Sequence, residues 1–397
     1  MATTDARVID LLDGDLYAGD PSPTYAWLRE NAPVYWDELN ELWGISRYDD
    51  ILEIEKAKDV FINSDLEKGG YRPNLPADPS IIGLDDPMHT KRRLLVNRGF
   101  TPKAVMRWEE HVRGVVADLL DAAATKERVE IIDDLAAPLP AQMIGLLLGY
   151  PHDMWPKLKE WSERTIVGGG GPRAATDDVI FAAIEFAGAC QELYEEKQRC
   201  PADDIMTVWT QAEINGEPIG LDPVISDCLL LLDGGAETTR TVIARTILEL
   251  AARPDQYQRL RGGADMTVAT EEFIRFVTPI LNMCRVATRD YDLHGTTIRK
   301  GQQVVVMYPS ANRDPAHFPD PETFDVGRTP NQHLAFGFGT HFCLGAALAR
   351  LEIRLFFEEF VRRVGEIRVV PGSVDFLPNA FVNGVNRAEV ELVLDPA

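Results

Sequence analysis

The chain has 397 residues and a formal charge of −23, from 40 Lys and Arg against 63 Asp and Glu, which argues against nucleic acid or an anionic membrane as its partner. Its five cysteines, Cys190, Cys200, Cys228, Cys284 and Cys343, are odd in number, scattered, and form no CxxC pair. A disulfide framework, a zinc cluster and covalent attachment through CxxCH are therefore disfavoured.

No apolar run stands out as a membrane span, and the opening segment has neither the basic nor the apolar region of a secretory leader; the expectation is a cytoplasmic protein without a membrane span. No linker, repeat or low-complexity stretch divides the chain, so residues 1–397 read as a single domain able to bury a large core. Val34–Trp36 and Leu42–Ile45 are β-prone runs around a polar turn, a predicted hairpin, and Tyr48 to Lys58 reads as a helix. Residues 64–84 are proline-spaced and aperiodic, a loop of a length that usually serves function. Asp86–Pro87 is expected to open the next helix, with Asp as N-cap and Pro at N1. On that helix His89 and Arg93 are four apart and share a face. Basic side chains in a first turn oppose the helix dipole, so they mark either a nearby anion or a solvated basic turn.

Helices are predicted over 102–124, 138–149, Trp155–Val167 and Asp177–Arg199. The last two flank the run Gly168 to Gly171. No strand precedes it and Pro172 follows, so a flexible joint fits better than a phosphate cradle. The longest helix runs from Asp222–Pro223 to Arg253–Pro254, about thirty residues or roughly 45 Å, and Leu229–Leu232 make its middle apolar all round, as in a buried central helix. That helix carries Asp233-Gly234-Gly235-Ala236-Glu237-Thr238-Thr239. Each glycine costs about 1 kcal/mol relative to Ala, and a buried carboxylate costs more unless partnered. Two readings stand: a kink with Glu237 paired to an arginine, or a functional site. Met266–Val277 is a further helix with Glu272 and Arg275 at i,i+3. Thr296–Ile298 and Gln303–Met307 read as strands, 311–328 as irregular, and Ile367–Val370 and Val390–Val393 as β-like, with 379–383 turning back between them.

Residues 335–361, AFGFGTHFCLGAALARLEIRLFFEEFV, combine a glycine-rich loop with a helix whose apolar stripe is Leu344, Leu348, Leu351 and Leu355. Cys343 falls at the expected first turn, where free N–H groups and the dipole favour thiolate over thiol. Gly337, Gly339 and Gly345 would let backbone approach a large flat partner. From the residues alone, a nucleophile, a metal ligand and a buried free thiol all remain open. Phe336, Gly339, His341, Cys343 and Gly345 match, place for place, the haem-binding loop of the cytochrome P-450 monooxygenases, and the chain resembles that family over nearly its whole length.

The resemblance implies a mainly α fold with small β-sheets (α+β), the cytochrome P-450 fold. It implies haem b with Cys343 as axial thiolate, a cofactor loop that includes Phe336, Gly337, His341 and Gly345, and propionate contacts from His89, Arg93, Arg285 and His341. Glu237 and Thr238 correspond to the family's proton-relay pair, although many relatives carry Asp at the acid. Glu272 and Arg275, joined by Arg328, correspond to a buried lock behind the cysteine loop, and the helices flanking the glycine run to a lid. Family position places Leu230, Ile280, Met283 and Phe381 on the substrate walls. The implied reaction inserts one atom of dioxygen into a C–H bond of a hydrophobic substrate, with electrons from a ferredoxin and its NAD(P)H-dependent reductase. Lys91, Arg92, Arg350 and Arg354 are expected to form a basic docking patch. Segments 95–101, 134–140, 282–285 and 333–345 resemble bacterial enzymes that hydroxylate the terminal methyl of cholesterol- or cholestenone-type side chains. Terpenoid, fatty-acid and polyketide hydroxylases are the alternatives, with a haem sensor or a peroxide-driven peroxygenase further off.

Overall fold

The computed structural model describes residues 7–65 and 67–395. Its centre is the helix Leu221–Ala252, 32 residues long, against which the helices Pro138–Leu148, Trp155–Ile166, Asp177–Arg199, Met266–Val277 and Ala346–Arg363 all pack. The helix stays α-helical through its two glycines, and each glycine has its own reason. At Gly235 a Cβ would come within 3.0 Å of Ile144, so the glycine permits close approach of the 138–148 helix. At Gly234, which is exposed, a Cβ would meet nothing within 4 Å. The helix therefore borders open space there, deep among core elements.

To one side lies a five-stranded sheet in the order Val34–Asp37, Leu42–Ile45, Gln303–Met307, Asn282–Ala287, Phe61–Ile62. Every pairing is antiparallel except that of 303–307 with 42–45. Asn282–Ala287 is an inner strand, so Arg285 is an interior residue rather than a strand-edge charge. A second sheet joins Val364–Val369, Glu389–Leu394 and Val129–Glu130.

The helices 177–199 and 266–277 match their predicted bounds, because both begin at a side-chain cap, Thr176 and Asp265. Other ends differ. The helix from Tyr48 stops at Lys56, and 102–124 is divided by a short 3₁₀ turn at Met106–Trp108. The His89 helix spans Met88–Asn97 with Pro87, not Asp86, at its N-cap. Asp86 instead accepts hydrogen bonds from Lys58 and Thr90. Among the described residues one helical stretch, Ile131–Leu148, is long and apolar enough to cross a bilayer. This corrects the reading that none exists, but 78% of it is buried inside the molecule, as in a core helix.

Glu272 and Arg275 are fully buried. Arg275 donates to both carboxylate oxygens at 2.7 and 2.8 Å, and Arg328 reaches the same two at 3.1 and 3.2 Å. Arg275 also donates to the carbonyls of Asn312, Pro321 and Thr323, fixing a segment with little regular structure of its own. An exposed i,i+3 pair would be worth about 0.5 kcal/mol or less; this one holds the chain leading into the Cys343 loop.

Burial alone pushes the carboxyl of Glu352, inside the 346–363 helix, up to about 8 from 4.5. The folded state then keeps a proton that the unfolded chain releases, so stability falls as pH rises from about 4.5 to 8. Urea unfolding midpoints across that window are expected to decline in the parent protein and to lose much of that slope in Glu352→Gln.

Candidate functional site

The cysteine loop is closed by a hydrogen bond from the Cys343 N–H to the Phe336 carbonyl at 2.9 Å. Gly337 and Gly339 have φ of +67° and +69°, a left-handed conformation that a side chain would strain. The helix that follows begins at Ala346 with Gly345 as N-cap. Cys343 thus sits just ahead of the helix, not in its first turn. The N–H groups of Gly345 and Ala346 reach its sulfur, and Arg93 and Arg350 draw its proton equilibrium toward thiolate. Burial outweighs all four and pushes the thiol up. The expected resting thiolate is therefore not produced by the loop alone; coordination to a metal would displace the proton. Phe336 is covered by the Arg350 guanidinium, 4.5 Å from its ring centre, and Arg350 in turn pairs with Glu271 at 2.7 and 2.9 Å.

Four basic side chains converge near this loop. The rings of His89 and His341 lie 4.3 Å apart, centre to centre, and the Asn63 amide is 3.1 Å from His341 Nε2. Arg93 donates to the carbonyls of Thr340 and Phe342. Arg285 pairs with Glu55 at 2.9 Å, and the Tyr308 hydroxyl donates to the same oxygen at 2.8 Å. Burial, followed by Arg285, His89 and Arg93, drives the His341 imidazole down to about 2, and burial and Arg93 lower that of His89. His89 is 2% exposed, and neither of its ring nitrogens has a hydrogen-bond partner among the described residues; an Asp86 oxygen lies 3.8 Å from Nδ1. Orphaned buried nitrogens among arginines are costly unless an anion completes them. A sulfur ligand, a basic cluster short of negative charge and the open space before Gly234 fit iron protoporphyrin with its two propionates.

On the central helix the Thr238 hydroxyl donates to the Gly234 carbonyl at 2.7 Å. Glu237 is buried and paired with Arg240 at 3.0 Å. Burial raises its carboxyl to about 6, with Arg240 pulling the other way. The pairing belongs to the kink reading, yet the helix is not broken there. Arg240 also bonds Glu163, which bonds Lys159 at 2.7 Å, so a charged chain leads from Glu237 toward the surface. An arginine partner for Glu237 was expected and is Arg240; Glu163 and Lys159, on another helix, were not foreseen.

Ile280, Met283 and Phe381 come together with Tyr71, Ile166 and Val382 in one apolar cluster. Leu230 does not join them; it packs on the main core. The glycine run is no flexible joint. Gly168, Gly169 and Gly170 are buried, a Cβ on Gly169 would fall 2.4 Å from Phe381 Cδ1, and the Asn379 amide donates to the Val167 carbonyl at 2.9 Å. Gly169 is a seat for the Phe381 ring, while Gly168 abuts Val179 and Gly170 abuts Asn379 and Ala174, which explains why larger residues are absent.

The expected basic patch is not assembled. Arg92 is buried, bonded to Asp227 and to the carbonyls of Pro79 and Pro223. Arg350 is held by Glu271 and Arg354 by Glu358 at 2.6 Å. Lys91 is exposed and 2.6 Å from Asn215 Oδ1.

Residues 189–365 match the family model described as Cytochrome P450. The chain is 37% identical to a steroid C26-monooxygenase of Mycobacterium tuberculosis, with 99% of each chain covered. It is 36% identical to a linalool 8-monooxygenase of Pseudomonas putida, covering 97% of this chain and 98% of that one. Among solved structures it resembles CYP109E1 from Bacillus megaterium in complex with testosterone, with a TM-score of 0.87, 31% identity, and coverage of 95% and 99%. The chain belongs to the cytochrome P450 family, the haem-thiolate monooxygenases. It is an oxidoreductase whose cofactor is haem b on a cysteine thiolate, and it acts on a hydrophobic substrate with dioxygen and a redox partner.

Proposed function

We propose that this protein hydroxylates the terminal methyl of a sterol side chain of the cholesterol or cholestenone type, working as one domain in the cytoplasm with a ferredoxin and its NAD(P)H-dependent reductase. Relatives named as steroid C26-monooxygenases at 36–37% identity support the substrate class, as does the apolar wall of Ile280, Met283 and Phe381. The observation that carries the assignment of residues is the cysteine loop beside a basic cluster with an orphaned His89.

In this reading Cys343 would hold the iron within the loop of Phe336, Gly337 and Gly345, and His89, Arg93, Arg285 and His341 would hold the propionates. The haem, when bound, supplies the activation of dioxygen that no side chain can provide. The protein's part is to exclude water and manage protons. Thr238, its proton committed to the Gly234 carbonyl, keeps oxygen lone pairs for a further hydrogen bond. Glu237, near 6, both releases and regains a proton close to neutrality, and its ion pair with Arg240, itself held by Glu163 and Lys159, keeps it in place. The second reading, oxidation of a terpenoid alcohol, is favoured by the linalool 8-monooxygenase relative and by a carboxyl group beside the pocket, Asp233.

Spectral titration of the haem-loaded protein tests the substrate. Cholestenone is expected to shift the haem band from its low-spin to its high-spin position, as a ligand that displaces water would. A shift produced by fatty acids and by no sterol or terpenoid would overturn the reading.

A further inference from the structure

Asp233 is an acid with no ion pair among the described residues, immediately before Gly234 on the central helix. It lies inside the molecule and is only half-buried, like a group that borders a cavity. Among the described residues its one hydrogen-bond partner is Thr165, whose Oγ1 is 2.7 Å from Asp233 Oδ1. That makes it unlike Glu237, which has Arg240, and Asp227, which has Arg92. The arrangement is too costly to be incidental: a carboxyl group in the wall of an apolar pocket must be neutral or matched by a ligand.

The contacts of Thr165 bear on its form. The Thr165 hydroxyl is also 2.8 Å from the Trp161 carbonyl oxygen, the i−4 position of its own helix. A hydroxyl has one proton, and a carbonyl can only accept. Each short contact has a proton of its own when Thr165 donates to Trp161 and Asp233 donates to Thr165; with Asp233 ionised, the single Thr165 proton is shared between two acceptors. Burial raises the Asp233 carboxyl well above the ordinary range, outweighing the Thr165 hydrogen bond, and so favours the first arrangement, with the proton on Oδ1. The remaining oxygen, Oδ2, is a carbonyl-type acceptor with no protein donor among the described residues. Asp233 adjoins Gly234, which borders open space, and its partner Thr165 adjoins Ile166, a member of the Ile280, Met283 and Phe381 cluster.

We propose that Asp233 is a specificity-determining residue that accepts a hydrogen bond from a hydroxyl group of the substrate. This deepens the reading above and rests on its assignment of the space beside Thr238 as the substrate pocket. The substrate class becomes an isoprenoid with a hydroxyl on the part lying against the central helix, such as a terpene alcohol or a sterol hydroxylated on its side chain. A neutral acid also disfavours an ammonium group in that place, since its free oxygen offers no charge.

The test uses the haem-loaded full chain and matched ligand pairs: linalool with citronellene, the same skeleton without the hydroxyl, and a side-chain-hydroxylated sterol with cholesterol. Dissociation constants come from the spin-state shift. In the parent protein the alcohol of at least one pair is expected to bind about tenfold tighter than its partner, and Asp233→Val is expected to bring that ratio to about one or invert it. Equal ratios in parent and variant for both pairs, or no binding by any of the four, would overturn the proposal, as would tighter binding of the amine analogue of linalool. Cholesterol and citronellene binding as well as the alcohols would overturn it while leaving the monooxygenase reading standing. Infrared difference spectra of parent against Asp233→Asn give a ligand-independent check. A protonated-carboxyl stretch present in the parent and lost in the variant is expected, and its absence from the parent would contradict the neutral acid.

Discussion

Replacing Arg275 by Leu is expected to cost about 3–5 kcal/mol, because it leaves Glu272 ionised, fully buried and short of its bidentate partner. Arg328 and the Asn331 amide would still reach the carboxylate, but the carbonyls of Asn312, Pro321 and Thr323 would lose their donor. The segment that delivers the cysteine loop would then loosen along with the core. Calorimetry and urea unfolding should show the loss directly, and haem content per folded chain should fall with it. Arg275→Lys is expected to recover only part of it, since an ammonium cannot fork to two oxygens and also reach three carbonyls. A variant as stable as the parent would mean that the lock is decorative.

The second large effect concerns chemistry and should leave stability alone. Thr238→Ala removes one hydrogen bond to a carbonyl that the helix already uses, so folding and haem content are expected to hold. Product formation per electron pair is expected to drop about a hundredfold, with consumption of NAD(P)H continuing and hydrogen peroxide appearing instead. Glu237→Gln should do the same and add a pH signature. With its carboxyl near 6, the protonated fraction of Glu237 declines as pH rises above that value, so coupling in the parent should fall with rising pH. The Gln variant, having nothing to titrate there, should be low and flat. Unchanged coupling in both variants would remove these two residues from the proton path.

Much of this architecture was legible because its causes are local. The helices 177–199 and 266–277 announce themselves by a capping side chain and an apolar stripe, both written within a few residues of one another. The cysteine loop was readable for the same reason, as a short pattern with fixed spacing. What stayed hidden depends on partners far away in the chain. Arg92 stands next to Lys91 in a basic run, yet it is buried because Asp227 waits for it on the central helix. The glycine run reads as slack until Phe381 is laid against it. The strand Asn282–Ala287 mixes polar and apolar residues and shows no alternation, because an inner strand of the sheet is covered on both faces. The surroundings of Cys343 were legible only in part. The helix-end N–H groups are visible in sequence, but the burial that outweighs them is a property of the whole fold.

The bond between the sulfur of Cys343 and the haem iron underlies every assignment made above. Its most direct measurement is the carbon monoxide difference spectrum of the reduced, haem-loaded protein, taken on the parent and on Cys343→Ser. The parent is expected to show the long-wavelength band of a thiolate-ligated haem, and the variant to lose that band even where it retains some haem. A parent without the band, or a variant whose spectrum matches the parent's, would contradict it.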